Sequence, residues 1–411
     1  MIRPRVARMF IVLLTLTLAS VPGTANSGEW NFYGSARFAT FYVQQSGDVP
    51  TNPNNVADTD LEWNLRGNSR IGAIVESGAV GGRFEYGASG GNANLRLLYG
   101  TWDFGWGSLL VGQNFTPITS NFSNQVIFTD QTLYNIGDPF AGRQPQLKLI
   151  MGEFQLALIQ PNIPENTVLE TSLTGTTGDV VNTTTVPEDF GLATTGAERL
   201  ALDSDVVLPK IEIAYKHQWN KLHVRLKAGY QTYDLVDASN QSVAVDSFLV
   251  GLAGKGGFNA GHIGAGVYYG KNLGTYGALN SGLVSNLHFD NDLPRFEGDS
   301  LKDSTTLVAA LLFHWNFTER LKFETGAGHR WMHTDTNVAR EQQSWVVYAQ
   351  MPVMLASTVK VVPEIGYYDF GALEQGPSKQ QLGNIIYAGA KWQIDFYLGY
   401  FGQHPSNIDK P

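Results

Sequence analysis

The strongest constraint on the fold of this chain is an alternation of apolar and polar residues with a period of two. Between Leu61 and Val75, one set of alternate positions is mostly apolar, and the other set carries Glu62, Arg66 and Arg70. Successive side chains of a β-strand point to opposite faces, whereas the apolar positions of a helix recur every three to four residues. The pattern therefore predicts a strand with one apolar face and one polar, charged face.

The same alternation recurs along the chain and marks sixteen strand candidates. Several of them are 12 to 16 residues long, whereas strands of soluble proteins have about five or six residues. The candidates cover residues 29–45, 60–76, 79–90, 93–104, 108–113, 143–151, 154–160, 207–219, 221–234, 243–254, 258–271, 305–317, 320–334, 344–356, 359–370 and 382–401. This pattern predicts an all-β protein, an antiparallel up-and-down barrel that crosses a membrane.

The connections between these candidates alternate between tight turns and long polar stretches. The tight turns are predicted near residues 77–78, 105–107, 152–153, 220, 255–257, 318–319 and 357–358. The long connections are predicted at 46–59, 114–142, 161–206, 272–304, 335–343 and 371–381, with shorter loops near 90–92 and 235–242. Bacterial outer-membrane barrels have short turns at one end and long loops at the other. The fold of a soluble β-sandwich does not require short and long connections to alternate, so the connections favour the barrel.

Two segments leave alternatives open. The last candidate is long enough to contain a further hairpin around residues 391–393, which would give eighteen strands. The segment 161–206 is rich in Thr, Gly and acidic residues. Its composition favours a solvated surface loop, and short strands within it are the alternative.

The N-terminus has the features of an export signal. Arg3, Arg5 and Arg8 precede the apolar stretch 9–19, and small residues up to Ala25 suit cleavage. This apolar stretch is too short for a membrane-spanning helix, which needs about 20 residues. We therefore expect a signal peptide at 1–25, a barrel in the lipid of the bacterial outer membrane at 26–401, and a C-terminal tail at 402–411.

Composition and motifs argue against several classes of protein. The formal net charge is −9 and no basic tract stands out, which argues against nucleic acid as a partner. The chain has no Cys, so disulfide scaffolds, thiolate zinc sites and thiol catalysis are excluded. No GxSxG, HExxH or P-loop motif occurs, and the eight histidines are scattered. We therefore predict neither an enzyme nor a cofactor or metal site.

Short motifs within residues 29–160 resemble the Gram-negative general porins, which are trimeric barrels of sixteen strands. Residues 31–34 (NFYG) resemble the opening strand of that family, and residues 68–72 (NSRIG) its second strand. Residues 95–114 are similar to its strand–turn–strand before the third loop, and residues 140–143 (FAGR) resemble the return of that loop to the wall. The resemblance implies a homotrimer that acts as a passive diffusion channel for small hydrophilic solutes and ions.

The resemblance also implies an inward-folded third loop whose acidic groups face arginines of the barrel wall. Loop 114–142 carries Asp130 and Asp138 and has no Lys or Arg. The arginines expected on the wall are Arg37, Arg66, Arg70, Arg83, Arg96 and Arg143. Arg143 shares its parity with the lipid-facing leucines that follow it, so a bulge at Pro145 is required to turn it inward. Opposed charges across a narrow passage would filter solutes by size and charge.

Basic residues outnumber acidic residues on the polar parity of the strand candidates. The basic residues are Arg37, Arg66, Arg70, Arg83, Arg96, Lys148, Lys210, Lys216, Lys221, Arg225, Lys227, Lys322, Arg330 and Lys360. The acidic residues are Glu62, Glu76, Glu85, Glu212, Glu324, Glu364 and Asp395. We therefore predict a mildly anion-preferring wall beneath an acidic outer rim. The alternatives are a channel specific for phosphate or another anion, and a barrel that serves adhesion or structure through 161–206.

Overall fold

Twenty-one of the strands in the described residues form one antiparallel sheet that closes on itself. The computed structural model describes residues 29–46, 58–89, 92–119, 123–127, 133, 136–162, 201–237, 242–279, 292–297, 300–336 and 340–398. Strand β1 (Glu29–Gln45) pairs on one side with β2 (Asp58–Leu65) and β3 (Arg70–Ser77), and on the other side with the last strand, β23 (Asn384–Leu398). Because the first strand pairs with the last, the sheet has no free edge and is a barrel.

The other strands follow in chain order. They are β4 (Val80–Ser89), β5 (Asn92–Asp103), β6 (Ser108–Phe115), β7 (Arg143–Met151), β8 (Phe154–Ile159), β9 (Ala201–Asp205), β10 (Lys210–Trp219), β11 (Leu222–Asp237), β12 (Ser242–Phe258), β13 (Gly261–Lys271), β14 (Arg295–Glu297), β15 (Ser300–Lys302), β16 (Ser304–Asn316), β17 (Lys322–Thr334), β18 (Arg340–Gln350), β19 (Val353–Ala356), β20 (Val359–Asp369), β21 (Ala372–Gln375) and β22 (Ser378–Gln381). A short helix, α1 (Leu273–Tyr276), precedes β14, which forms a separate hairpin with β15.

Consecutive strand segments combine into single crossings of the barrel wall at five places. These are β2 with β3, β9 with β10, β18 with β19, β20 with β21, and β22 with β23. The described residues thus form sixteen crossings, which confirms the predicted number. Strand β23 runs without a break through residues 391–393, which excludes the alternative of a further hairpin there.

Short turns lie at one end of the barrel and long connections at the other, as predicted. The turns at Gly78, Gly152 and Asn220 contain residues with φ of 60°, 57° and 51°, a left-handed conformation that Gly and Asn tolerate best. One predicted turn is displaced, because β12 continues through 255–257 to Phe258. The predicted loop 371–381 is instead largely the hairpin of β21 and β22.

Most outward-facing side chains of the barrel are apolar. Trp63, Ile71 and Leu311 are 67%, 59% and 57% exposed, whereas the charged residues of the opposite parity point into the lumen. Trp106 and Trp219 lie exposed at the short-turn end, where aromatic rings suit the interface between lipid and water. This exterior suits a membrane-spanning barrel. Within the described ranges, no helix is long and apolar enough to span a bilayer.

Two segments fold into the lumen from the long-loop end. The first is the third loop, between β6 and β7, and its inward course confirms the prediction. Its Val126 and Ile127 are buried against inward-facing apolar residues of the far wall, among them Phe41 and Tyr368. The second segment contains α1, whose Leu273 and Tyr276 pack in a cluster with Ile118 of the third loop. This second inward segment was not predicted, because its sequence reads as a polar surface loop.

Candidate functional site

The tip of the third loop is bound to the wall opposite its own strands. The carboxylate of Glu364 on β20 accepts hydrogen bonds from the backbone N–H groups of Val126 at 2.6 Å and Ile127 at 2.9 Å. The guanidinium of Arg66 donates to the carbonyl oxygen of Val126 at 2.8 Å. Hydrogen bonds to a charged partner are stronger than neutral ones. These contacts therefore fix the loop across the lumen.

Two further wall carboxylates hold the same loop. Glu324 on β17 accepts hydrogen bonds from the backbone N–H of Asn124 at 2.8 Å and from its side-chain Nδ2 at 2.6 Å. Tyr348 donates to the same carboxylate at 2.7 Å. Glu212 on β10 accepts the backbone N–H of Ile118 at 3.1 Å. Three acidic residues predicted on the pore wall thus bind the third loop, which satisfies its buried backbone donors.

A chamber of about 910 Å³ lies between the third loop and the short-turn end of the barrel. Its described lining includes eight Lys and Arg side chains but only two carboxylates, those of Glu153 and Glu324. The basic residues are Arg37, Arg70, Lys216, Arg225, Lys255, Lys322, Lys360 and Lys391. With eight basic and two acidic side chains, the described lining carries a strong excess of positive charge.

Glu153 lies in the tight turn between β7 and β8, outside the membrane-spanning strands. His217 contacts its carboxylate at 2.7 Å. Hydrogen bonds from His217 and then Tyr215 lower the pKa of Glu153 below its ordinary value. The carboxylate therefore stays ionised at neutral pH, at the edge of the chamber.

A cluster of arginines surrounds Glu85 on the wall next to the chamber. Arg96 Nε lies 2.6 Å from the Glu85 carboxylate, an Arg83 guanidinium nitrogen 2.9 Å and Arg70 Nε 3.7 Å. The hydroxyl of Tyr33 also points inward and donates to the Glu85 carboxylate at 2.7 Å. Part of the positive charge expected at the pore is therefore compensated within the wall itself.

The structure separates the predicted arginines into groups with different surroundings. Arg37 and Arg70 line the chamber. Arg66 binds the third loop, and Arg83 and Arg96 bind Glu85. All five lie on the inner side of the wall.

Arg143 lies elsewhere, which corrects the prediction that it lines the pore. Strand β7 pairs with β6 with no shift of register as far as Arg143, so Pro145 creates no bulge there. Arg143 therefore keeps the outward parity of Leu147, which is 50% exposed. Its guanidinium lies over the ring of Phe115, 5.2 Å from the centroid. A cation–π contact of this kind stabilises a positive charge.

The acidic groups predicted on the third loop do not all face the arginine wall. Asp138 is buried and interacts electrostatically with Arg225 and Lys227 of β11. Lys227 also donates to the carbonyl oxygen of Ile118 at 2.7 Å. The described part of the loop therefore places its acid against β11, and Asp130 lies outside the described residues.

Two chamber residues were missed in the sequence because of errors in the strand boundaries. Lys255 fell in a predicted turn, and Lys391 in a possible hairpin. Lys391 has the same parity as Asp395, which was assigned to the polar face. Continuing that parity by four residues towards the N-terminus would have found it.

Two histidines of the lumen, His262 and His314, form a stacked pair. The rings of His262 and His314 are 4.8 Å apart, and His314 Nδ1 lies 3.3 Å from Glu324. In the described part of the chain, no group of three or more His, Asp or Glu side chains is arranged to hold a metal ion.

Comparisons with known proteins place this barrel among outer-membrane channels in fold. No protein-family model and no curated protein matches the sequence. The outer membrane channel DcaP of Acinetobacter baumannii is similar with a TM-score of 0.60 and 15% identity, over 92% of this chain and 100% of that one. The anion-selective porin from Comamonas acidovorans has a TM-score of 0.54 and 11% identity, over 90% and 100%. The trimer form of OmpT from Vibrio cholerae has a TM-score of 0.52 and 13% identity, over 90% and 100%. The chain is therefore similar in fold to outer-membrane barrels with a channel.

Proposed function

We propose that the protein is an outer-membrane porin, a passive diffusion channel for small hydrophilic solutes and ions that prefers anions. The observation that carries the proposal is the chamber beneath the third loop, with eight basic residues and two carboxylates in its described lining. Charged side chains that line a pore select ions by sign. The likeness in fold to an anion-selective porin agrees with this preference.

The proposed mechanism has no covalent step. Solutes enter at the long-loop end, pass the third loop, and cross the chamber to the periplasm at the short-turn end. Loop 114–142, held by Arg66 against the wall, filters by size. Arg37, Arg70 and the other basic residues of the chamber filter by charge. Their field acts across the chamber because the Debye length is about 8 Å at physiological ionic strength.

Five features predicted from the sequence belong to the same proposal. Residues 1–25 act as the export signal, residues 26–401 form the barrel, and the porin lies in the outer membrane. The assembly is a homotrimer, as in the trimer form of the similar OmpT. Asp130 and Asp138 belong to the constriction loop, where Asp138 offsets part of the positive charge of β11.

Purified protein in a planar lipid bilayer tests the proposal. We expect discrete current steps in KCl, and under a KCl gradient a reversal potential with the sign of chloride preference. A reversal potential with the sign of potassium preference would contradict the charge filter. Absence of current steps, together with absence of swelling in liposomes exposed to small sugars, would instead favour the structural or adhesive barrel.

A further inference from the structure

The connection that follows β13 places a second segment inside the lumen. This α1 segment comprises residues 272–279, with the single helical turn of α1 at its centre. Asn272 and Gly277 flank the turn with φ of 52° and 75°. The side chains of Leu273 and Tyr276 are 0% exposed. The segment is therefore packed tightly against its surroundings within the barrel.

The barrel wall has space for this segment at two glycines. A Cβ added at Gly229 on β11 would overlap the hydroxyl oxygen of Tyr276, and one added at Gly270 on β13 would overlap the side chain of Leu273. Gly229 is the cross-strand partner of Glu212. The carboxylate of Glu212 accepts a hydrogen bond from the Tyr276 hydroxyl at 2.9 Å. Because protein interiors are closely packed, a side chain at Gly229 would fill the space that the phenol ring occupies.

Hydrogen bonds hold the α1 segment to three adjacent strands. Lys210 on β10 donates to the carbonyl oxygen of Tyr276 at 3.2 Å, and Gln231 on β11 donates to that of Thr275 at 3.0 Å. The hydroxyl oxygens of Thr275 and of Ser247 on β12 lie 2.7 Å apart. A single helical turn leaves its last carbonyl oxygens without partners in the helix. The wall supplies donors for them, which fixes the position of the segment.

The α1 segment covers one side of the lumen. The inward-facing wall residues that it contacts on β10 to β12 include polar and charged side chains, yet they are 0% exposed. They are Lys210, Glu212, Gln231, Ser247 and Leu249. A solute cannot contact wall residues that are covered completely. The path of a solute is therefore displaced from β10 to β12 at this level of the barrel.

The same segment is joined to both ends of the third loop. The backbone N–H of Phe140, near the end of that loop, donates to the carbonyl oxygen of Ala278 at 2.7 Å. Ile118, near its start, donates its backbone N–H to Glu212, the carboxylate that also binds Tyr276. Ile118 also packs in one apolar cluster with Tyr276 and Ala278. The α1 segment and the third loop therefore meet at the same level of the lumen.

We propose that the α1 segment is a second constriction element and that Tyr276 helps to set the size limit of the channel. The third loop narrows the lumen from β6 and β7, and the α1 segment narrows it from β10 to β13. A solute must pass through the space that both elements leave. This inference rests on the proposed channel function and assigns a further residue to its size filter.

Swelling of liposomes in solutions of neutral sugars tests the inference, because neutral solutes separate size from the charge of the chamber. The rate for sucrose is expressed relative to that for the smaller sugar arabinose. Tyr276→Ala removes the phenol ring and should raise this relative rate at least about two-fold, since the diameter of a pore limits what passes. The matched control is Tyr230→Ala, because Tyr230 follows Gly229 on β11 but lies exposed on the outer face. If Tyr276→Ala conducts KCl and has the relative rate of the control, the assignment is wrong.

Gly229→Ala tests the same residue in the opposite direction, and it remains decisive if Tyr276→Ala does not fold. The added methyl group displaces the phenol ring from the wall towards the lumen, so the relative rate of sucrose should fall. Combining it with Tyr276→Ala should abolish the fall, because the methyl group then meets no ring. An unchanged rate in Gly229→Ala, or a fall that persists in the double variant, would overturn the inference. Unmodified protein that never conducts KCl would overturn the proposed function instead, so the two failures are distinguishable.

Discussion

The carboxylate of Glu364 accepts the backbone N–H of Val126 at 2.6 Å, although 238 residues separate the two in the chain. The contact joins the third loop to the far wall of the barrel. Because Glu212 and Glu324 bind the same loop, three carboxylates of the wall anchor it. The basic residues therefore dominate the lining of the chamber below.

Replacing Glu364 with Gln should loosen the third loop. Gln offers one acceptor oxygen where the carboxylate offers two, and its amide would face the N–H donor of Val126 or Ile127. The loss of one charge-assisted hydrogen bond weakens the anchor by roughly 1.5–3 kcal/mol. We expect a larger and noisier single-channel conductance. The control is Glu374→Gln, at an exposed carboxylate of the β21–β22 hairpin, and identical conductance traces for the two variants would contradict the anchoring role.

A methyl group at Gly328 should displace the same loop by contact alone. A Cβ added there would lie 2.7 Å from the Cα and 2.9 Å from the backbone nitrogen of Gly137 in the loop. Overpacking of this kind costs about 1–3 kcal/mol unless the backbone moves. We expect Gly328→Ala to change the conductance, measured in single-channel recordings. Gly256→Ala is the matched control, since a Cβ there meets no atom within 4 Å, and it should conduct like the unmodified protein.

Glu85→Gln should destabilise the barrel and strengthen its preference for anions. The substitution leaves Arg70, Arg83 and Arg96 without the carboxylate that they surround. Removing one partner from a buried ion cluster costs about 3–5 kcal/mol. Thermal unfolding in detergent, followed by circular dichroism, should therefore begin at a lower temperature, and the reversal potential should move towards that of chloride. Glu374→Gln, at an exposed carboxylate of the β21–β22 hairpin, should leave both measurements unchanged. If the Glu85→Gln variant unfolds at the original temperature and keeps the original selectivity, the proposed role of Glu85 in stability and charge compensation is wrong.

Reversing two charges of the chamber should weaken its selectivity. Lys360→Glu with Lys391→Glu changes the described lining from eight basic and two acidic residues to six and four. We expect the reversal potential under a KCl gradient to shift towards that of potassium, with a larger shift at low salt, where screening is weaker. Lys379→Glu, outside the chamber, controls for net charge. If the double variant has the same ion selectivity as Lys379→Glu, the charge filter does not depend on Lys360 and Lys391.

The sequence predicted the barrel well because the period of two is a local property. The lipid-facing side of each strand can be recognised in the sequence from alternate apolar residues such as Leu61 and Leu311. The turn at Gly152 also lies where it was predicted. The predictions were wrong where a strand continued through residues that are typical of a turn. Strand β12 runs on past its glycines to Phe258, which places Lys255 on the wall instead of in a turn.

The course and attachment of the loops inside the lumen depend on the tertiary structure. Alternation identified Glu364 as an inward-facing acid, but it could not reveal that Val126 would meet it. Such partners are distant in sequence, and any inward carboxylate can bind any loop amide that the closed barrel brings near it. The chain by itself therefore determined a sixteen-crossing barrel with a charged interior. Which charges bind the loop and which face the chamber was decided only when the sheet closed. A buried charge needs a partner, and here the partners come from distant parts of the chain.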